Sequence, residues 1–207
     1  MSRVECQVPC FLRLAACFLL LASCSFPGSV KPTIKIGLSA PFEGLYRDLG
    51  YEALHAVRLA VRQRNESGGV GGRYLVELVA LNDFNEPGEA VLQAREMAAD
   101  PGVLGVLGGW SPETARSAAP EYRRLGLAFL APKTDLGSSM LSVLVPPEFA
   151  ERYQALSGDV PPGPVAVWAY ATANCLLDAL DETTRAEGQP TRAGVRAALT
   201  TGHYQGE

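Results

Sequence analysis

The sequence predicts an α/β fold, a doubly wound parallel sheet followed by a smaller, mostly helical part. Three observations carry this. Residues 33–135 alternate short β-rich runs with longer segments of helical spacing. Glycine and proline punctuate the junctions between them. Beyond residue 147 the patterns are helical, with almost no further strands. Strict β/α alternation places parallel strands side by side, with helices on both faces.

The first predicted strand is Ile34-Lys35-Ile36-Gly37-Leu38. Residues 51–65 follow with helical spacing, Leu54, Val57 and Val61 on one stripe and Arg58 and Arg62 opposite. Gly68-Gly69-Val70-Gly71-Gly72 breaks that helix. A second strand spans 74–81 and a second helix 86–99, with Pro87 in its first turn. A third strand spans 103–107. A third helix covers 112–125, and Pro120 inside it predicts a kink or a shortening. Residues 127–130 make a fourth strand. After Pro132 the pattern is indistinct, with one short β-like run at 141–145. Phe149, Tyr153 and Leu156 then mark a helix. Pro161-Pro162-Gly163-Pro164 forms a hard turn, and 165–183 is apolar on nearly every side up to Leu180, which calls for burial on several faces. Thr191 caps a final helix to about residue 200, with Gly202 as a stop.

Arg3 and Arg13 precede a short apolar run at 14–21, the build of a secretory signal. Arg13 interrupts the apolar stretch, and crossing a bilayer takes about 20 apolar residues. Leu21-Ala22-Ser23-Cys24 resembles a bacterial lipobox, which implies cleavage before Cys24 and a lipid on its sulfur. The expected organisation is a signal peptide at 1–23, a tether at 24–32, an α/β lobe at 33–135 and a reduced helical part at 136–207. Of the five cysteines, Cys6, Cys10 and Cys17 fall in the removed segment. Cys175 then stands alone in the mature chain, which leaves no internal disulfide and no multi-cysteine metal site. Its apolar neighbours suit a small buried hydrophobe. The net charge is −4 with no Lys/Arg cluster, which speaks against a nucleic-acid partner. No Gly-x-Ser-x-Gly elbow, His-Glu-x-x-His or Gly-Lys-Ser/Thr loop occurs, so no enzymatic activity, cofactor or metal is expected.

Several segments in order resemble the solute-binding proteins of branched-chain amino acid ABC transporters, the type I periplasmic binding proteins. They are Ile34-Lys35-Ile36-Gly37, Gly44 and Gly50, Ala60-Val61 before Asn65, and Gly68-Gly69-Val70-Gly71-Gly72-Arg73 leading to Asp83. Gly108-Gly109-Trp110-Ser111, Ala118-Ala119-Pro120 and Leu130-Ala131-Pro132 continue the series. Phe149 with Arg152-Tyr153, Pro164 with Ala169-Tyr170, Leu176-Leu177, Ala179-Leu180 and Val195-Arg196-Ala197-Ala198-Leu199 extend it. The resemblance implies two Rossmann-like lobes around a cleft. Here the stretch between Pro132 and Phe149, where the family carries most of the second lobe's sheet, is short, and the chain stops at Glu207. The first lobe is expected whole and the second as a helical remnant. With its sheet missing, the apolar faces carrying Trp168, Tyr170, Leu176 and Leu177 are expected to stay partly exposed and less ordered than 33–132.

Ligands of open parallel sheets bind outside the carboxyl ends of the strands. The third strand ends at Gly108-Gly109, whose glycines permit close approach to the backbone. Ser111 and Pro112 make a good helix start, and a helix N-terminus suits a carboxylate. The resemblance places the amino acid's carboxylate at this loop, near Ser111, with Trp110 as an apolar wall. A plain helix cap is the other reading of Ser111. Glu113 would compete for the helix dipole, meet a solute ammonium or point into solvent. Thr134 lies near the family's ammonium-binding hydroxyl, and Lys133 beside it equally favours an acidic solute. Tyr46, on the lip after the first strand, packs against a solute side chain or simply on the surface. His55 and His203 are expected in solvent.

Two functions stand at this point. One is an extracytoplasmic, lipid-anchored binder of an amino acid or related amide, delivering to an ABC permease. The other is a truncated relative that transports nothing and serves as a sensor or interaction module, or is a degenerate product.

Overall fold

The computed structural model describes residues 30–132 and 146–201. Cys24, Thr134, Lys133, the run at 141–145, Gly202 and His203 lie outside the described residues. The elements are β1 (Thr33–Ala40), α1 (Arg47–Glu66), β2 (Leu75–Asn82), α2 (Pro87–Ala99), β3 (Val103–Leu107), α3 (Pro112–Arg124) and β4 (Ala128–Leu130), then α4 (Phe149–Ser157), α5 (Pro164–Glu187) and α6 (Arg192–Thr201).

The strands form a four-stranded parallel sheet in the order β2-β1-β3-β4. Strands β1 and β3 are central; β3 reads as a continuous apolar run and β1 is buried from Ile36 to Ala40, because both faces are covered. One face holds Ala90, Ala94 and Met97 of α2 with Ala118 and Tyr122 of α3. The other holds the apolar stripe of α1 together with Phe149, Tyr153, Ala173, Leu176, Leu177, Leu180 and Val195 from α4, α5 and α6. The strand order reverses between β1 and β3, so their carboxyl ends flank a crevice.

The sequence reading places each of these strands and helices within a few residues. Helix α1 begins a turn earlier than its stripe suggested. Gly50 permits this, because a Cβ there would lie 1.8 Å from the Pro41 carbonyl oxygen. Helix α3 is not shortened at Pro120 and runs on to Arg124. Pro120 and Arg116 are exposed, so the bond that Pro120 cannot give the Arg116 carbonyl is lost on the solvent side of the helix, where it costs least. Thr191 does cap α6, accepting from the Gly194 amide at 3.0 Å.

The late helices pack more completely than their sequence suggested. Leu176, Leu177 and Leu180 are fully buried and Tyr170 is 6% exposed, while Trp168 is half-buried. Their cover is α1 and the sheet itself. Gly105 on β3 lets Leu176 descend onto the strand, since a Cβ there would meet Leu176 Cδ1 at 2.5 Å. Polar ties fix the seam. The Glu52 carboxylate on α1 accepts the Ala166 amide at 2.9 Å, capping α5 from outside. Arg64 pairs with Asp178 and Asp181 of α5, and Asp181 also accepts the Gly71 amide. Arg192 of α6 donates to the carbonyls of Val103, Ala98 and Asp100 at 2.9, 3.1 and 2.6 Å. The late helices and the sheet thus share one core, and the described residues from Pro32 onward cluster as one unit.

Candidate functional site

The site is built by three loops at the carboxyl ends of β1, β2 and β3. Each is tied to its neighbour by a side chain. Asn82, at the end of β2, accepts the Phe42 amide of the β1 loop at 2.9 Å and the Phe84 amide of its own loop at 3.1 Å. Asp83 accepts the Ser39 hydroxyl at 2.9 Å and the Asn85 amide at 2.9 Å. Trp110, on the β3 loop, donates its indole N–H to the Ser39 carbonyl at 2.8 Å. Phe84 and Asn85 sit at φ 52° and 59°, a left-handed pair of non-glycine residues that these bonds hold in place. Sequence reasoning missed Ser39, Asn82 and Asp83 as site residues. The one available signal was Asn82-Asp83 at a strand end, a pairing that favours local side-chain bonds to turns.

At the β3 end, Gly109 adopts φ 72° and a Cβ there would meet Ala115 at 2.8 Å. This turns the chain sharply into α3. Ser111 is the N-cap of α3 in a reciprocal box with Thr114. Its Oγ accepts the Thr114 amide at 3.3 Å, and its own amide donates to Thr114 Oγ1 at 3.2 Å. The cap reading of Ser111 is therefore met, and the amides of Ser111 and Thr114 are already engaged. Pro112, exposed at the first helical position, has no amide to offer. The expectation of free N–H groups here shrinks accordingly. Thr114 donates its hydroxyl to the Ser111 carbonyl at 3.0 Å. The Ser111 hydroxyl proton is then the mobile one, able to face Thr114 Oγ1 at 3.0 Å or a bound anion. Glu113 points outward and pairs with Arg116 at 2.9 Å, both exposed. That is the solvent option among those weighed for it.

Trp110 is half-buried against the core, next to Ser111 in the chain. Tyr46 stands at the start of α1, 48% exposed, with Leu45 88% exposed beside it. Phe84, on the third loop, is 43% exposed. These loops thus combine buried polar side chains, Ser39 and Asp83, with an exposed apolar rim. Thr134 lies outside the described residues, so the structure does not join it to this set.

His55 departs from its expected place in solvent. It is half-buried between Tyr51 and Tyr153, with ring centroids at 6.4 and 6.1 Å. Burial first, and then Arg58, push its pKa down. Its row continues through Phe42 at one end and Phe149 and Tyr170 at the other. Aromatic contacts of this kind glue α1 to α4 and α5. Cys175 is half-buried, and burial followed by Asp178 raises its thiol to about 11, which makes it inert at neutral pH. Among the described residues no group of His, Cys, Asp and Glu is arranged to hold a metal, and no helix is long and apolar enough to cross a membrane.

Residues 33–140 match the family described as periplasmic binding protein. The Leu/Ile/Val-binding protein homolog 7 of Brucella melitensis is 30% identical over 96 residues, which are 46% of this chain and 24% of that protein. The chain thus aligns with about a quarter of that relative. Among solved structures, the branched-chain amino acid transporter substrate-binding protein LivJ of Streptococcus pneumoniae, in complex with isoleucine, superposes with a TM-score of 0.66 at 12% identity, covering 81% of this chain and 87% of that one. A solute-binding protein of an ABC transporter from Rhodopseudomonas palustris, in complex with 3,4-dihydroxybenzoic acid, gives 0.60 at 13% identity, covering 81% and 85%. These two likenesses establish the fold. With the family match spanning more than half the sequence and the parallel sheet in place, this chain belongs to the periplasmic binding protein family.

Proposed function

We propose that this chain is an extracytoplasmic solute binder of the branched-chain amino acid ABC transporter type, and that it captures a small carboxylate-bearing solute without transforming it. The observation that carries this reading is the start of α3. Ser111, beside the Trp110 wall, opens a helix at the carboxyl end of β3, next to the strand-order reversal. The Ser111 hydroxyl proton and the positive end of the α3 dipole are complementary to a carboxylate. Trp110, Tyr46 and the exposed rim offer apolar contact to a side chain. The ligands in the structures of two fold neighbours, isoleucine and a dihydroxybenzoic acid, both carry a carboxylate. In this reading Cys24 carries the lipid that anchors the chain to the membrane, and a permease accepts the solute.

A second reading is an interaction module that transports nothing. What favours it is the rim itself, where the apolar side chains Leu45, Tyr46 and Phe84 stand exposed. Calorimetric titration of the chain with leucine, isoleucine, valine and benzoates separates the two. Saturable heat that weakens about tenfold or more in Ser111→Ala supports solute capture. A folded sample that gives no heat with any of them overturns it.

A further inference from the structure

Ser39 is the point where the three loops meet. It is 2% exposed and lies one residue before the end of β1. Its carbonyl takes the Trp110 indole at 2.8 Å and its hydroxyl donates to Asp83 at 2.9 Å. Gly108 of the β3 loop rests on it so closely that a Cβ there would lie 3.1 Å from the Ser39 carbonyl oxygen. A shift of Ser39 therefore moves Trp110.

Asp83 is 1% exposed, and among the described residues it joins no salt bridge. The groups that face it are the Ser39 hydroxyl from β1, the Asn85 amide from its own loop and the Tyr122 hydroxyl from α3. Burial raises the Asp83 carboxyl above the usual range, and the Asn85 and Ser39 hydrogen bonds offset only part of this. Tyr122 is fully buried, and its hydroxyl has no hydrogen-bond partner of ordinary geometry among the described residues. Burial and the Asp83 charge both push its pKa up. An ionised carboxyl kept here without a cation costs stability. An asparagine of the same shape would avoid that cost, so the fold alone gives no reason for the charge.

We propose that Asp83 is a positioning residue whose charge holds Ser39, and through it the Trp110 lip, and that protonation of Asp83 in mild acid loosens the lip. A proton on Oδ2 turns the acceptor of the Ser39 hydroxyl into a donor. Two hydrogens then compete for one line between Ser39 Oγ and Asp83 Oδ2, and one must turn away. The Tyr122 oxygen, without a hydrogen bond of ordinary geometry among the described residues, is there to accept it. Ser39 keeps a bond to Asp83 in either arrangement, but it is then held by a neutral carboxyl instead of a charged one, a weaker tie, and the indole bond to its carbonyl loosens with it. The proposal deepens the solute-binding reading, since the lip it regulates is the wall of that site.

The test uses no solute, so its failure and that of the binding reading are distinguishable. In a Trp168→Phe background Trp110 is the sole tryptophan. Its emission, acrylamide quenching and indole N–H resonance are followed from pH 7 to pH 4, with far-UV circular dichroism as the control for folding. The expected result is one Trp110 transition, with the dichroism unchanged, centred above the ordinary aspartate value of about 3.9. Asp83→Asn should abolish it, and Ser39→Ala should uncouple Trp110 from pH. A transition that survives Asp83→Asn, or a Trp110 signal flat across this range in the parent, overturns the proposal. Should Asp83→Asn fold poorly, Ser39→Ala decides alone, because a Trp110 signal still following pH there breaks the proposed path.

Discussion

The rim at the carboxyl ends of the strands and the seam between α1 and α5 are held by different physics. In the seam, apolar side chains close completely, with Leu176, Leu177 and Leu180 fully buried, and the charges are paired, Arg64 with Asp178 and Asp181. At the rim, single hydrogen bonds staple loop to loop while Leu45, Tyr46 and Phe84 stay exposed. A buried carboxylate at the rim, Asp83, pairs with no cation among the described residues. The difference separates two roles. The seam supplies stability through area removed from water. The rim gives up some of that stability to hold a fixed, partly desolvated surface, which in the proposed function is where a solute rests.

The largest effect that would sharpen this contrast lies in the seam. Leu176→Ala should cost roughly 2–5 kcal/mol in urea unfolding, because it empties a site that Gly105 and the sheet cannot refill. A cost under about 1 kcal/mol would mean that α5 does not rest on β3. Next comes Asp181→Ala, which strips Arg64 and the Gly71 amide of a shared acceptor. With the Arg64 side chain only 17% exposed, the loss should be about 2 kcal/mol. Ser111→Ala at the rim should lower stability by about 1 kcal/mol through the lost cap, yet change solute affinity more than stability. The reverse order would make Ser111 a cap and nothing more.

Asp83→Asn tests the contrast by its sign. A carboxyl whose native pKa is raised favours folding when protonated. That contribution is full below the unfolded value and is lost as pH rises through the native one. At neutral pH the asparagine variant should therefore be no less stable than the parent, and the gap in its favour should widen as pH rises from 4 to 7. A variant clearly less stable at pH 7 than at pH 4, relative to the parent, would show Asp83 to be an ordinary structural acceptor. The smallest effect belongs to Glu113→Gln, whose exposed pair with Arg116 should shift stability by less than about 0.5 kcal/mol.

Much of this was written in local pattern. Alternation of apolar runs and helical stripes is enough to set four parallel strands and their crossovers, because each element must bury one face against the next. The loop at Trp110 and Ser111 was legible for a similar reason: two glycines, a capping serine and a proline make a strand-to-helix turn wherever they occur. The segment carrying Leu45 and Tyr46 was read as a lip after the first strand, but Phe84 gave no signal, since exposure is not encoded in a single side chain. The Ser39–Asp83 contact joins residues 44 positions apart, and nothing in either neighbourhood announces the other.

The sequence by itself determined the elements, the parallel sheet and the place where β3 turns into α3, since these follow from periodicity and from the dihedral limits of glycine and proline. Only the tertiary structure decided that α4, α5 and α6 share a core with the sheet, that His55 lies among aromatic rings, and that the amides expected free at Ser111 are used by Thr114. The physical reason is distance along the chain. Local rules fix what a segment becomes, while burial, charge and hydrogen-bond partners depend on which remote segment arrives against it.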